Sequence, residues 1–62
     1  MKVLIARVFY RRTLYLEGVI RNGYAWTSDP KNADRIDKEN ADRVIKKIKS
    51  YGTHCFATEV RK

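Results

Sequence analysis

The sequence predicts a small α+β domain, with a sheet of three antiparallel strands in a meander, one helix packed on one face, and a C-terminal strand. Three observations support this prediction. The first part of the chain alternates apolar and polar side chains, an Asn-Gly pair interrupts the alternation, and a later segment has apolar residues at helical spacing. At 62 residues the chain has room for one domain, which covers 1–62.

The first predicted strand, 2–10, is apolar on both faces. Val3, Ile5 and Phe9 occupy one face, and further apolar residues occupy the other. This pattern is typical of a central strand, or of a strand whose second face is covered. A polar turn at 11–13 follows, and the half-buried second strand occupies 14–21.

Asn22 and Gly23 predict the second turn, because this dipeptide tolerates the positive φ of a type I′ hairpin. A short aromatic strand over 24–27 then completes the meander. Ser28 or Asp29 caps a helical turn over 30–33 that begins with Pro30.

The helix is predicted over 38–51, with Asp37 as a candidate cap. Val44, Ile45 and Ile48 face the sheet, and Gly52 supplies the left-handed stop. A closing strand follows over 53–61. A right-handed crossover from the third strand places it beside the first strand and parallel to it, in the order 4-1-2-3.

Chemistry at a catalytic or metal site is not indicated. Cys55 is the single cysteine and follows the single histidine, His54, so on a strand the two side chains point to opposite faces. We therefore expect no enzyme activity, no metal and no cofactor. One cysteine and no apolar run of about 18 residues indicate the reducing cytosol and no membrane association.

Basic residues are the first functional lead. Fourteen Lys and Arg against seven acidic residues give a formal charge of +7, which attracts polyanions such as DNA or RNA or simply keeps the domain soluble. Helix spacing pairs Glu39 with Arg43 and Asp42 with Lys46. If nucleic acid is bound, the candidate contacts are Arg11, Arg12, Arg21, Lys47 and Lys49.

Apolar and aromatic residues are the second lead. With a helix on one face only, the second face of the first strand has nothing to cover it, which indicates an interface with a partner or a homodimer. Trp26 is expected in the core, and Tyr15 is the better candidate for an exposed contact. The candidate partner-binding residues are Val3, Ile5, Phe9, Tyr15, Arg11 and Arg12.

A resemblance covers most of the chain. Tyr15-Leu16, Gly18, the W-T-x-D-P motif at 26–30, and Ala33, Ala41 and Gly52 are similar to short uncharacterised proteins of tailed bacteriophages and prophages. The sequence departs from that pattern at Ile36, where an aromatic residue is usual. The resemblance implies a ββ-β-α-β domain of phage or mobile-element origin and no particular activity.

Two function classes follow. The first is a small non-catalytic phage-type accessory protein that binds and modulates a host or defence-system protein through an apolar sheet face with a basic rim. The second is a nucleic-acid-binding protein that uses dispersed Lys and Arg with sheet aromatics. Dispersed and partly paired cations favour the first class.

Overall fold

The computed structural model describes residues 2–60 as a five-stranded sheet with one α-helix. The elements are β1 (Lys2–Phe9), β2 (Arg12–Ile20), β3 (Gly23–Thr27), a 3₁₀ helix (Pro30–Asn32), β4 (Ile36–Asp37), α1 (Lys38–Ser50) and β5 (Phe56–Glu59). The α+β class, the antiparallel meander and the helix are confirmed, and β4 is new. The predicted closing strand reached Arg61, which lies outside the described residues. Within 2–60, no helix is long and apolar enough to cross a bilayer.

β1 is the central strand and pairs with three others. Ala6 pairs with Tyr15 of β2 and with Phe56 of β5, so β2 and β5 lie on opposite edges of β1. Val3 pairs with β5 as well as with Ile36 of β4. Because one edge of Val3 is taken by β5, β4 lies on the edge that β2 occupies further along β1.

The sheet therefore forks between β1 and β2. Their pairing ends at Tyr15, and a bulge between Leu16 and Gly18 bends β2 away from β1. The segment that leads into β4 enters this gap, where the backbone amide of Asp34 donates to the carbonyl oxygen of Leu16 at 2.9 Å. The carbonyl group of Leu16, which β1 leaves unpaired, thus accepts a hydrogen bond from the segment that precedes the helix.

The direction of β5 corrects one prediction. β5 lies beside β1 as expected, but it runs antiparallel to it. β4 is also antiparallel to β1, so β4 and β5 are parallel, and α1 connects them across β1. The prediction placed the start of the crossover at the third strand. It missed β4, because a strand of two residues is too short to show alternation. β4 reverses the direction of the chain before the helix, so β5 runs antiparallel to β1.

The helix covers the face of β1 that the sequence analysis left open. Val3 and Ile5 are 4% and 0% exposed and share a core cluster with Ala41 and Ile48 of α1. The prediction that Val3 and Ile5 bind a partner, or a second copy of the chain, is therefore wrong. Val44 and Ile45 pack against the same cluster, which confirms the predicted helix face.

The opposite face of β1 is covered by the segment around the 3₁₀ helix. Leu4 and Ala6 are buried on this face, and Leu4 lines a cleft together with Pro30, Lys31 and Arg35. Both faces of the first half of β1 are thus shielded from water, which explains why the strand is apolar throughout. The covered second face, one of the two expected explanations, is the observed one.

The helix ends combine confirmed and corrected details. Asp29 caps the 3₁₀ helix by accepting a hydrogen bond from the amide of Lys31 at 2.9 Å, and Gly52 takes a positive φ of 89° after α1. Asp37 makes no side-chain cap, because its carboxylate pairs with Lys2 at 3.0 Å. The hydrogen bond and charge of Lys2 lower the pKa of Asp37.

We predict that Ile48→Ala lowers the free energy of unfolding by about 2 to 5 kcal/mol, because it opens a cavity under the helix. The side chain is 1% exposed and contacts the face of Val3 and Ile5. A thermal melt measures the loss. Lys46→Ala, on the exposed side of the same helix, is the control and should change stability by less than about 0.5 kcal/mol. Equal melting temperatures for the two variants would contradict this packing.

Candidate functional site

Two surfaces at opposite ends of β2 combine exposed apolar side chains with cations. The first, named the hairpin tip, surrounds the β1–β2 turn and consists of Val8, Phe9, Tyr10, Arg11 and Arg12. The second, named the tyrosine groove, lies between the β2–β3 hairpin and the end of α1 and includes Val19, Arg21, Tyr24, Lys47 and Tyr51.

The backbone of the hairpin tip is strained. Phe9 pairs with Arg12, so the turn has only two central residues, Tyr10 and Arg11, and their φ values are 49° and 67°. Two positive φ angles are the signature of a type I′ turn, which favours Asn-Gly. A bulky L-residue in this region costs about 1 to 2 kcal/mol. The turn predicted at 11–13 is thus displaced by one residue and carries two unfavourable side chains.

Side chains at the tip are arranged as a connected aromatic and cationic surface. The Tyr10 ring, whose residue is 84% exposed, meets the Phe9 ring edge-on with 4.4 Å between centroids. The guanidinium carbon of Arg7 lies 4.9 Å from the centre of the Phe9 ring and 5.2 Å from that of Trp26. Arg7 thereby links the exposed Phe9 to Trp26, which packs against the core as predicted.

The tyrosine groove is concave, with a volume of about 490 Å³. Tyr24 and Tyr51 form two of its sides, with ring centroids 6.4 Å apart and planes tilted by 55°. Tyr51 is 70% exposed, whereas Tyr24 packs partly against the core and is held in place. Arg21 and Lys47 lie on the hairpin side and the helix side of the groove.

The turn at the groove differs from its predicted type. Ile20 pairs with Gly23, so Arg21 and Asn22 are the central residues, and neither has a positive φ. Gly23 takes the positive φ, 148°, one position later. The hairpin at Asn22-Gly23 is confirmed, but the type I′ turn is wrong there, and Arg21 is brought to the apex beside the groove.

The cations are less engaged than their spacing predicted. Within residues 2–60 the one ion pair is Lys2 with Asp37. Among these residues, Arg43 and Lys46 therefore form no ion pair with Glu39 or Asp42, which corrects the expectation that the helix pairs them. Exposed pairs of this type are worth little in water, so nothing strong holds them together. The basic side chains of the helix are available to a partner.

The structure divides the predicted site residues between several places. Phe9, Arg11 and Arg12 meet at the hairpin tip, while Arg21 and Lys47 meet at the tyrosine groove. Lys49 is exposed but lies about 200° around the helix from Lys47, on the opposite flank.

Tyr15 is half-buried rather than exposed. It lines the cleft beside Leu4 and Pro30 on the face opposite the helix. The aromatic candidate of the sequence analysis therefore belongs to neither the hairpin tip nor the tyrosine groove.

Tyr10 and Tyr51 are exposed, although the sequence analysis singles out neither as a surface residue. Tyr10 is the end of the predicted first strand, whereas the observed turn begins one residue earlier and exposes it. Tyr51 is the last residue of the predicted helix, whereas the observed helix ends at Ser50. The position of Tyr51 beside Gly52, after the last residue of α1, could have indicated its exposure. An apolar residue beyond the end of the helix has no core to pack against.

Cys55 and His54 offer no joint site. Cys55 is buried, and its burial raises the pKa of the thiol, which the neighbouring cations Lys49 and Arg7 only partly offset. His54 is exposed beside it. A thiol that is kept protonated and shielded is a poor nucleophile and a poor metal ligand. In the described part of the chain, no three His, Cys, Asp or Glu side chains are grouped to hold a metal ion.

Comparison of the chain with protein families, with curated proteins and with solved structures finds no match. The two surfaces are therefore interpreted from their own geometry and chemistry.

We predict that the turn variant, Tyr10→Asn combined with Arg11→Gly, is more stable than the parent chain. Relief of two left-handed residues exceeds the loss of the Phe9–Tyr10 ring contact, which leaves a gain of about 1 to 2 kcal/mol. For a domain of this size, each kcal/mol raises the melting temperature by about 4 to 8 °C. The control Tyr10→Phe keeps the strain and should not shift the melt. A turn variant that melts at or below the parent would contradict the strained turn.

Proposed function

We propose that this chain is a small non-catalytic accessory protein that binds and modulates another protein by inserting its hairpin tip into an acidic surface of that partner. The observation behind the proposal is the strained turn at Tyr10 and Arg11. Residues with strained backbone cluster at binding sites. At such a site, the binding energy that the side chain contributes exceeds the conformational energy that the strain costs.

The chemistry of the tip supports a protein as its partner. Val8, Phe9 and Tyr10 are exposed and present apolar surface at this end of the sheet. Aromatic residues and Arg are enriched among the few side chains that dominate binding energy at protein interfaces. A projecting tip of this kind fits a pocket in another protein, whereas it offers no concave surface that would enclose a small ligand.

Charge supports an acidic partner and argues against a second copy of the tip. Arg7, Arg11 and Arg12 surround the apolar side chains, and no acidic residue belongs to the tip. Opposite charge on a partner would speed the encounter, whereas two tips would bring like charges together. The homodimer expected from the sequence loses its basis as well, since Val3 and Ile5 are in the core.

The resemblance to phage proteins supports a setting for this function. Small phage products that lack catalytic residues act by occupying a surface of a host or defence-system enzyme in the host cytosol, and the proposal places this chain among them.

We predict that the immobilised parent chain captures an acidic protein from a nuclease-treated bacterial lysate, and that the turn variant does not. The variant keeps the fold and is expected to be more stable, so its loss of capture cannot be assigned to unfolding. Nuclease treatment removes proteins that are bridged by nucleic acid. Equal capture by the two chains, or capture by neither, would contradict a binding role for the tip.

For the captured partner, we predict that two substitutions act on different rate constants. Phe9→Ala removes an anchor and should raise the dissociation rate about tenfold or more. Arg12→Gln removes a rim charge and should slow association, with a smaller effect at high salt. Lys38→Gln, at the start of α1 and away from the tip, is the matched charge control. Surface plasmon resonance measures both rate constants. If Lys38→Gln and Arg12→Gln slow association equally, the effect comes from net charge and not from the position of Arg12, which would contradict the prediction.

A further inference from the structure

We propose that the tyrosine groove binds a single-stranded nucleic acid, with an unpaired base stacked on Tyr51 and the adjoining phosphates contacted by Arg21 and Lys47. This site lies at the end of β2 opposite the hairpin tip. It is independent of the protein-binding role proposed above, because the two surfaces share no residue.

The stacking surface is supplied by the aromatic pair. Tyr51 is 70% exposed, and the Tyr24 ring lies 6.4 Å away at a tilt of 55°. Tyr24 is held by the core cluster, so one wall of the groove is rigid while the other presents an open ring. Exposed Val19 adds an apolar floor beside them. Base stacking needs such a flat apolar face and tolerates any base.

The cations are placed where a phosphate backbone would run. Arg21 projects from the apex of the β2–β3 hairpin, and Lys47 projects from the last turn of α1, so a cation stands on each side of the groove. Among residues 2–60, neither forms an ion pair. The phosphates of a single-stranded nucleic acid neutralise both cations. The release of counterions from the nucleic acid makes binding favourable and dependent on salt concentration.

The exposed ring of Tyr51 selects a single strand over a duplex and over an acidic peptide. A base inside a duplex is stacked on both faces, so it has no free face for the ring. A peptide of acidic residues alone, such as poly-glutamate, can neutralise the cations but has no flat ring to stack on Tyr51.

Fluorescence anisotropy with labelled oligodeoxythymidylate and oligouridylate of about 12 nucleotides, a length within the site sizes of single-strand binders, tests the proposal. A duplex of mixed sequence and poly-glutamate are the competitors. We expect the single strands to bind tighter than either competitor. Tyr51→Ala should weaken single-strand binding about tenfold, the scale of one lost base stack, while Tyr51→Phe keeps it.

The role of charge is tested with two lysines, Lys47 and Lys49, on opposite sides of α1. Lys47→Gln should weaken binding and lower the slope of log K against log salt by about 0.7, one contact's worth for a single strand, and Lys49→Gln should not. The turn variant at the hairpin tip should bind as the parent does, so failure of this site is distinguishable from failure of the protein-binding role. Thermal melts confirm that each variant is folded.

Tyr51-dependent binding of either single strand supports the proposal, and the tighter of the two identifies DNA or RNA as the ligand. Binding that Tyr51→Ala leaves unchanged, or that Lys47→Gln and Lys49→Gln weaken equally, would reduce the effect to diffuse positive charge and overturn the proposal. Equal competition by poly-glutamate or by the duplex would overturn it too, as would the absence of binding at low salt.

Discussion

The burial of β1 on both faces is the constraint on which the rest of this structure depends. A chain of 62 residues has one short strand to build around, and α1 covers one face of it while the segment around the 3₁₀ helix covers the other. This requires β2 to separate from β1 after Tyr15, so that the chain can pass through the gap as β4. The position and direction of α1 and β5 follow from that passage.

The same constraint affects where apolar side chains stay exposed. Several of the exposed apolar side chains lie where strands extend past the elements that cover the sheet. β1 extends past α1 at Phe9, and the β2–β3 hairpin extends past the core at Val19. Both extensions carry arginine. The two surfaces proposed as binding sites therefore lie at opposite ends of β2.

Sequence patterns predicted the features that depend on periodicity. The helix with its Ile48 face, the meander and the Asp29 cap all repeat or stand at fixed spacing. The direction of β5 and the covered face of β1 depended on β4, whose two residues carry no period. The two surfaces were not predicted, because strand periodicity does not show whether a tyrosine is exposed or buried. Tyr15 is predicted to be exposed but is half-buried, and Tyr10 is predicted to lie in a strand but is exposed in a turn.

Stability and function are in opposition at the hairpin tip. A domain of this length has a free energy of unfolding of roughly 3 to 9 kcal/mol, and two left-handed residues each cost about 1 to 2 kcal/mol. An Asn-Gly pair would form a two-residue turn with two positive φ angles at a lower conformational cost. The strain is therefore not needed to make the hairpin. Tyr10 and Arg11 add what Asn and Gly lack, an exposed ring that meets Phe9 edge-on and a positive charge, and under the proposed function both groups contact the partner.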